Sequence, residues 1–467
     1  MTYQEEKCLI RSKVASEFDF NFDDKKLVIE TITEKIMARD FNQTFYRGEG
    51  QTTGSHSASF LGQNHMTRTI ALLRGLGTAF FAIKMVLSES KKSRPAESIG
   101  WVYAIPSQFF ATTNEISNLE DFLDSTLRDR KIKPPERYFL QSGVLRNRVK
   151  SDRIHVVPHI GSKILSIESQ SRIKTVREIV TRTLFWIKNS LSHPLFVMVG
   201  PEFIVEIPGI QSRINQQSEV LITTQSQLLA SPLVFKSKLK ASRVMYWYSN
   251  NSMQISKKAS VSLDYSYLSQ PMISDHFVWT STWGKFLEEY NTNAVVTVVG
   301  PILFKNLSKY VKSEKKKRSE TKKILIFDIT PKMNAGADSI YSEKEMTQFV
   351  SDIAVATKAK FPNALIKLKP KRKYTSDDSV SYCDFLEAQT SRIQILKWDS
   401  DIGDEILNSD LVICVPYSSP ALMAKYLGIP AIFYTPSLDF KLDLIHEDIL
   451  VVQGLTELRR FLEELEN

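Results

Sequence analysis

Small hydroxyl residues follow an apolar run near the C-terminus, where a helix is predicted to begin. The run Leu411 to Val415 is typical of a buried strand, and the sequence PYSS, with Tyr417, Ser418 and Ser419, follows it. Backbone N–H groups at a helix N-terminus, together with the helix dipole and two serine hydroxyls, form a site for a phosphate or a carboxylate. The alternative is that the serines only cap the helix, because Ser is a preferred N-cap residue.

Polar residues also follow two other predicted strands of this region. Thr330 ends one of them, and Lys369, Lys371 and Arg372 lie at the end of the next. Because the carboxyl ends of parallel strands meet at one edge of a sheet, we expect these groups to lie near the serines. Arg suits bidentate phosphate contacts, whereas Lys acts as a point charge. The predicted ligand is a diphosphate, or a molecule with a phosphate and a carboxylate; the alternative for the basic cluster is a solvated loop.

The first half of the chain contains candidate catalytic and acceptor-binding groups. Asp275 and His276, at the start of a predicted strand, are expected to act as a base or nucleophile with an orienting partner, and Asp264 is the second candidate carboxylate. The alternative is that His276 is hydrogen-bonded within the core. The polar side chains expected to hold acceptor hydroxyls follow other apolar runs: Asn250, Asn251 and Glu202.

The composition favours anionic partners. The 467 residues carry a formal charge of +9, so nucleotide-activated substrates, nucleic acid and an anionic membrane are all compatible with it. A nucleic-acid partner is disfavoured because aromatic residues are not interleaved with the basic run. Three scattered cysteines are too few for a disulfide framework or a Cys-based zinc site. We also expect no metal and no cofactor.

One strongly apolar stretch, Thr69 to Leu87, has nearly the length of a membrane span. It carries Arg74 and Lys84, and charges at the centre of a bilayer are costly. We therefore predict a buried helix. No apolar core of a signal peptide is recognised at the N-terminus, and we expect a cytoplasmic protein.

Short apolar runs alternate with helix-compatible segments along most of the chain, which is typical of parallel strands covered on both faces. The predicted fold class is α/β, with two doubly wound, Rossmann-like domains that face a cleft. Residues 1–305 form an α/β domain with a helical N-terminal region, 306–322 a lysine-rich linker, and 323–467 a second α/β domain. The predicted strands of the first domain lie in Trp101–Ile105, Ile154–Val157, Leu195–Val199, Val220–Thr223, Val244–Tyr248, Phe277–Thr280 and Val295–Val299. Those of the second domain lie in Ile324–Ile329, Leu365–Leu368, Ile393–Leu396, Leu411–Val415, Ala431–Tyr434 and Ile449–Val452, with helices predicted at Ser342–Lys360 and Thr456–Leu465.

The sequence PYSSPALMAKYLGIPAIFY resembles the signature of the "PFTS" family of bacterial surface-polysaccharide biosynthesis proteins, and KILIFDITP, IKLKPKRK, MYWYSNNS, HFVWT and VVGPI resemble its other blocks. The resemblance covers about Pro194 to Pro436. Tyr417 and Ser418 replace the Phe and Thr of the signature, and Thr435 stands where an Asp is expected. Lys369-Pro370 stands where sialyltransferases commonly have a His-Pro pair.

This resemblance implies a GT-B glycosyltransferase similar to sialyltransferases and Kdo transferases. Ser418 and Ser419 would then hold the phosphate of a CMP-sugar, Lys369 and Arg372 would lie near the donor's anionic groups, and the first domain would hold a glycan or lipid-linked acceptor. The predicted function is transfer of a sugar, with Kdo or another 2-keto acid sugar preferred, at or near the cytoplasmic face of the inner membrane. The alternatives are a membrane-associated polyol-phosphate transferase with a CDP donor and a non-catalytic glycan-binding protein.

Overall fold

The structure is a computed structural model of the chain. The residues that it describes are 3–16, 28–37, 65–88, 98–103, 116–141, 152–157, 172–208, 219–224, 241–247, 255–256, 268, 273–300, 321–331, 342–370, 374, 379–437, 441–442 and 449–465.

Helices and strands alternate through most of these ranges. The α-helices are α1 (Tyr3–Ser16), α2 (28–37), α3 (His65–Ser88), α4 (Ile116–Asp129), α5 (Arg172–Ser192), α6 (Ser281–Tyr290), α7 (Glu343–Lys360), α8 (Val380–Ala388), α9 (Ile402–Leu407), α10 (Ser419–Tyr426) and α11 (Gly454–Glu464). The strands are β1 (Ile99–Val102), β2 (Arg137–Gln141), β3 (Ile154–Val157), β4 (Glu219–Thr224), β5 (Ala241–Tyr246), β6 (Ile255–Ser256), β7 (Asp275–Val278), β8 (Val295–Val298), β9 (Lys323–Phe327), β10 (Leu365–Lys369), β11 (Gln394–Ile395), β12 (Leu411–Cys414), β13 (Ala431–Thr435), β14 (Lys441–Leu442) and β15 (Leu450–Gln453).

The first sheet is parallel and has the strand order β3-β2-β1-β4-β5-β7-β8. The chain enters at β1, proceeds to one edge, returns to β4 beside β1 and then proceeds to the other edge. This reversal is the mark of a doubly wound sheet, whose crossover connections place covering segments on both faces.

The second sheet repeats this plan with the order β11-β10-β9-β12-β13-β15, again with parallel pairing. Its reversal point lies between β9 and β12, where Cys414 of β12 is in register with Phe327 of β9 and Phe433 of β13. Two doubly wound parallel sheets confirm the predicted α/β class. In such sheets ligands commonly bind at the carboxyl ends of the strands beside the reversal point.

The apolar runs of the second sheet follow from burial on both faces. Successive residues of β9 belong to different clusters of buried side chains: Ile324 and Ile326 pack with α7 and α11, whereas Leu325 and Phe327 pack on the opposite face. The residues of β12 are buried throughout. Continuous apolar sequence is therefore required where a helical layer covers each face of a strand.

The two halves of the chain contact each other in two ways. The cluster of buried residues that surrounds the first sheet continues onto the second sheet, where it includes Phe327, Val412 and Phe433. In addition, β6 from the first half pairs antiparallel with β14 from the second, with Ser256 opposite Lys441.

Several predicted elements differ in the structure. Leu195–Val199 was expected to be a strand but forms a 3-10 helix, Pro194–Val199, followed by a π-helical turn, Glu202–Glu206. These turns pack on α3 and α5 with Val199, Phe203 and their neighbours inside, so an apolar run of strand length is buried here in a helical layer. The pattern also missed β2 and α8. The predicted linker 306–322 lies almost entirely outside the described residues.

The helix α3 corrects another expectation, because it was predicted to be buried and is not. Only 22% of an 18-residue window within Thr69–Ser88 is buried, although this segment has the length and the hydropathy of a membrane span. Gly75, Ala79, Ala82 and Val86 form its buried side. The buried side of α3 carries mostly small residues, and the exposed side carries large apolar ones. The apolar composition of the helix therefore predicted more burial than the structure has.

Candidate functional site

The predicted anion site lies at the reversal point of the second sheet. Thr330 follows β9 and the sequence PYSS follows β12, and these two strands are neighbours. The helix α10 begins at Ser419, immediately after the turn. The structure thus brings Thr330, Ser418 and Ser419 to the same edge of the same sheet, as the strand pattern predicted.

The turn between β12 and α10 has an unusual backbone. Ser418 N donates to Val415 O at 3.3 Å, which closes a turn with Pro416 and Tyr417 in the middle. Pro at the second position and a positive φ at the third are typical of a type II turn, and the third residue is usually Gly. Here it is Tyr417, with φ +59°. Non-glycine residues in this conformation are strained and are often found at functional sites.

The Tyr417 side chain explains how this strain is held. The residue is 3% exposed and its ring packs edge-on against Phe433, with centroids 6.1 Å apart. A ring in this position stabilises the turn from inside the core. The buried ring leaves only the Tyr417 backbone for the predicted donor contact, which stays a prediction.

The start of α10 has no side-chain cap. Ser418 occupies the N-cap position, but its hydroxyl donates to Val415 O at 2.8 Å instead of accepting from a helix N–H. Several other helices are capped in the usual way, with a side chain that accepts from a backbone N–H: Thr280 for α6, Ser342 for α7, Ser379 for α8 and Asp401 for α9. The expectation that the serines only cap their helix is thus not met by Ser418.

Cys414 lies beneath this helix start. Its thiol is fully buried, and burial raises its pKa to about 12, while the Ser418 hydroxyl and the Ala421 N–H, which both face the sulfur, act in the opposite direction. A thiol sulfur is a weak acceptor. The positive end of α10 therefore has no strong acceptor among these contacts, and the first residue of the helix, Ser419, is partly exposed.

Two threonine hydroxyls flank this helix start without a hydrogen-bond partner. Thr330 is 3% exposed and Thr435, at the end of β13, is 1% exposed, and the Oγ1 atom of each is unpaired within the described part of the chain. Leaving a buried hydroxyl unpaired costs about 1–3 kcal/mol. Their positions on the strands that neighbour β12 suit a ligand that would supply the missing acceptors.

A buried polar pair supports the exit of β9. The Tyr382 hydroxyl donates to Asp328 Oδ2 at 2.8 Å, and the pKa of Tyr382 is well above its usual value because of burial and the neighbouring carboxylate. The first residues of α8 are tied to the same exit, since Ser379 N donates to Pro331 O at 2.9 Å. These contacts fix the backbone on both sides of Thr330 in sequence.

Lys369 ends β10, as predicted, but its side chain is buried. Its Nζ donates to Trp398 O at 2.7 Å, and burial lowers its pKa, while Asp399 and Glu405 act in the opposite direction. Lys371 and Arg372, the other members of the predicted basic cluster, lie outside the described residues.

The acidic loop Trp398–Glu405 begins a helix, because Asp401 caps α9 by accepting from Asp404 N at 2.9 Å. Glu405 forms an ion pair with Lys367 at 2.9 Å.

The two leading catalytic candidates do not fit their predicted role. Asp275 is the first residue of β7 and therefore lies at the amino edge of the first sheet, whereas ligands bind at the carboxyl edge. Its Oδ1 accepts from Arg130 Nη2 at 2.9 Å, and its Oδ2 accepts from Ser274 Oγ at 2.7 Å. Asp275 is thus a structural ion-pair residue.

His276 is fully buried and both of its ring nitrogens are occupied. Nδ1 accepts from Trp247 Nε1 at 3.0 Å, so Nε2 carries the proton and donates to Ile273 O at 3.1 Å. Burial lowers the pKa of His276 to about 4. The core alternative is therefore correct. The sequence left both roles open, because an adjacent Asp-His pair looks the same in either of them.

Among the remaining candidates, the structure describes only Glu202. Glu202 lies in the π-helical turn, not at a strand end, and its Oε1 accepts from Lys35 Nζ of α2. Asp264, Asn250 and Asn251 lie outside the described residues.

A buried polar group lies near the carboxyl edge of the first sheet. Thr223, near the end of β4, is fully buried and its Oγ1 has no partner in the described ranges. β4 lies beside β1, where this sheet reverses direction. Thr223 and Thr435 share one sequence signal, a threonine at the end of an apolar strand.

The fold resembles several solved structures at low sequence identity. An apo structure of OtsA is 11% identical, with 79% of this chain and 90% of that chain covered and a TM-score of 0.38. A structure of the wall teichoic acid polymerase TagF is 11% identical, with 87% of this chain and 89% of that chain covered and a TM-score of 0.40. A structure of Acinetobacter baumannii MurG is 9% identical, with 80% of this chain and 91% of that chain covered and a TM-score of 0.34.

Sequence comparisons identify the family. No curated protein sequence matches the chain. The model of a family described as "Polysaccharide biosynthesis PFTS motif protein" matches residues 211–462, which include both Thr330 and the sequence PYSS. Because this match covers more than half of the 467 residues and confirms the resemblance seen in the signature, the chain belongs to the polysaccharide biosynthesis PFTS motif family.

Proposed function

We propose that this protein is a glycosyltransferase of surface polysaccharide biosynthesis that uses a nucleotide-activated sugar. The observation that carries the proposal is the helix start without a side-chain cap at the reversal point of the second sheet, flanked by the unpaired buried hydroxyls of Thr330 and Thr435. Family membership supports the polysaccharide context.

In this proposal the donor phosphate binds at the start of α10. The Ser419 backbone N–H and hydroxyl, together with the helix dipole, favour an anion there. The hydroxyls of Thr330 and Thr435 donate to phosphate or sugar oxygens from the two neighbouring strands. Ser418 keeps its bond to Val415 O and so fixes the turn.

A second anionic group of the donor is assigned to the basic residues after β10. Lys369 fixes the Trp398 loop, and Lys371 and Arg372 follow it in sequence. A CMP-linked 2-keto acid sugar carries one phosphate and one carboxylate, and this matches two separate anion sites. Positive charge at these sites stabilises the negative charge that develops on the departing CMP.

The first α/β unit is assigned to the acceptor, in a GT-B arrangement with domains 1–305 and 323–467 joined by 306–322. Thr223 lies at the corresponding edge of its sheet. Since Asp275 and His276 are structural, we assign the catalytic carboxylate to Asp264, and Asn250 and Asn251 to acceptor hydroxyls. The reaction is proposed to take place in the cytoplasm, where a lipid-linked acceptor is reached at the inner membrane face.

The test is a thermal-shift panel of CMP, CDP, UDP and GDP. We expect CMP to raise the melting temperature most, and Ser419→Ala to reduce that rise. Ser281→Ala is the matched control, because Ser281 is the first residue of α6 as Ser419 is of α10. CMP is also the leaving group when glycerol phosphate is transferred from CDP-glycerol, so turnover assays separate these two donors. Turnover of CDP-glycerol but not of CMP-sugars would identify polyol-phosphate transfer instead. Stabilisation by glycans and by none of the nucleotides would favour a non-catalytic glycan-binding protein.

A further inference from the structure

Two long helices of the first half expose large apolar side chains in stripes. On α3 the exposed residues Leu73, Phe80 and Leu87 recur every seven residues, and Phe80 is 72% exposed. On α5 the exposed apolar residues are Ile173, Val180, Leu184 and Leu191. This spacing places each set along one side of its helix. Isolated exposed apolar residues are common, but stripes on two neighbouring helices are not.

The two helices pack against each other, and this contact fixes which sides face outward. Gly75 of α3 lies against the ring of Trp186 of α5, where a Cβ atom would overlap the ring. The inner sides of the pair, including Ala79, Ala82 and Ile179, belong to the core of the first half. Since one side of α3 is committed to this core, the helix is suited to lie along a membrane surface and not to cross the bilayer.

Basic residues accompany the stripes. The sequences of α3 and α5 contain eight Lys or Arg residues and one acidic residue, Glu178. Arg74, Lys84, Lys174, Arg177 and Lys188 are exposed. Glu178 forms an ion pair with Arg182 at 3.3 Å within α5. The exposed surface of the pair is therefore apolar and positively charged.

We propose that the outer surface of α3 and α5 docks on an anionic lipid membrane. The apolar side chains would enter the boundary between headgroups and acyl chains, while Lys and Arg extend their charged ends to the lipid phosphates. A protein partner of matching shape would explain the apolar stripes, but the excess of positive charge favours lipid headgroups. This docking does not depend on the proposed transferase activity.

The test is sedimentation of the full-length protein with vesicles. We expect binding to vesicles of phosphatidylglycerol and phosphatidylcholine, weakened by salt, and at least tenfold less binding to phosphatidylcholine alone. The double variants Leu73→Ser/Phe80→Ser and Leu184→Ser/Leu191→Ser should each reduce binding at least tenfold. The matched control is Val380→Ser/Leu450→Ser, because these residues are 62% and 57% exposed on elements of the second half.

Three results would overturn the proposal. One is wild-type protein that stays in solution with anionic vesicles. Another is a control that loses as much binding as the stripe variants, which would make the effect nonspecific. The third is a dimer in light scattering that the stripe variants dissociate, with no vesicle binding, because a second copy of the chain would then cover the stripes. Circular dichroism and thermal melting of each variant separate lost docking from lost folding.

Discussion

At the scale of single residues, buried polar groups of the protein differ in whether they have a hydrogen-bond partner. His276 and Asp275 are satisfied by neighbours, with Trp247, Ile273 and Arg130 as their partners. The buried hydroxyls of Thr330 and Thr435 have no partner in the described structure. A satisfied group stabilises the fold, whereas an unsatisfied buried group is a cost that a ligand can remove.

The first prediction concerns the stability of the protein as a function of pH. Burial lowers the pKa of His276 to about 4, so the unfolded chain binds a proton near pH 6.5 and the folded chain does not. The neutral side chain therefore stabilises the fold fully above pH 6.5. As pH falls from 6.5 to 4, this group should lower the free energy of unfolding by about 3 kcal/mol.

Urea unfolding of wild type and His276→Gln between pH 4 and 8 measures this effect. Gln retains a donor and an acceptor but does not titrate, so the variant should lose less stability than wild type as pH falls. Parallel pH profiles of the two proteins would contradict the assignment of His276 as a buried neutral residue.

The second prediction concerns the unpaired hydroxyls. Thr330→Val and Thr435→Val keep the side-chain shape and remove a buried unpaired oxygen, so each should raise the free energy of unfolding of the empty protein by about 1 kcal/mol. If the hydroxyls bind the donor, each variant should also bind CMP about tenfold more weakly, because a hydrogen bond to a charged group is lost.

Thr357→Val is the matched control. Thr357 is fully buried in α7, also with an unpaired Oγ1, but it lies away from the carboxyl edge of the sheet. It should stabilise the protein without changing CMP affinity. Equal loss of CMP affinity in all three variants would show that the hydroxyls of Thr330 and Thr435 are not part of the binding site. Calorimetric titration and urea unfolding measure the two quantities.

At the scale of elements, the starts of α8 and α10 differ although both have a serine at the N-cap position. Ser379 accepts from Tyr382 N at 3.2 Å and donates to Glu343 at 2.6 Å, so α8 is capped and anchored to α7. Ser418 makes no capping bond. The same residue type thus closes one helix end and leaves the other accessible to a ligand.

The third prediction follows from this difference. Ser379→Ala should lower the free energy of unfolding by about 1–2 kcal/mol, because a cap bond is lost. Ser419→Ala should change it by less than about 0.5 kcal/mol, because a partly exposed side chain at N1 makes no capping bond. Urea unfolding without nucleotide compares them. A comparable loss in Ser419→Ala would mean that this residue is structural.

Elements with continuous apolar sequence were the most predictable part of the fold. β9, β10, β12, β13, β15, α7 and α11 were all expected, because burial on both faces or on one helical stripe leaves a clear pattern. Leu195–Val199 was misread because a short apolar run fits a strand and a buried helical turn equally well. α8 was missed because its nine residues are too few for a clear helical period.

The site was predictable only in part, for a related reason. The loop after β12 and the residue Thr330 could be assigned to one sheet edge from strand order alone. The sequence could not predict that α10 lacks a side-chain cap. The turn geometry around Tyr417 decides whether the Ser418 hydroxyl bonds to a helix N–H or to Val415 O. Likewise, only tertiary contacts decide that His276 is a core residue.

At the scale of the whole molecule, the proposal assigns separate tasks to the two sheets and the helical layer. The second sheet would bind the nucleotide-sugar at its reversal point, the first would hold the acceptor, and α3 with α5 would bring both to a membrane. The β6–β14 pair and the shared buried cluster connect the two halves. Donor binding at the start of α10 is the central claim on which this division depends.

A crystal structure of the protein with CMP tests that claim most directly. We predict a phosphate oxygen within about 2.7–3.2 Å of the Ser419 backbone nitrogen, with Thr330 Oγ1 or Thr435 Oγ1 donating to the same ligand. Soaking under identical conditions with Ser419→Ala is expected to give weaker occupancy. A phosphate bound away from the start of α10, or no bound nucleotide at a saturating concentration of CMP, would contradict the account.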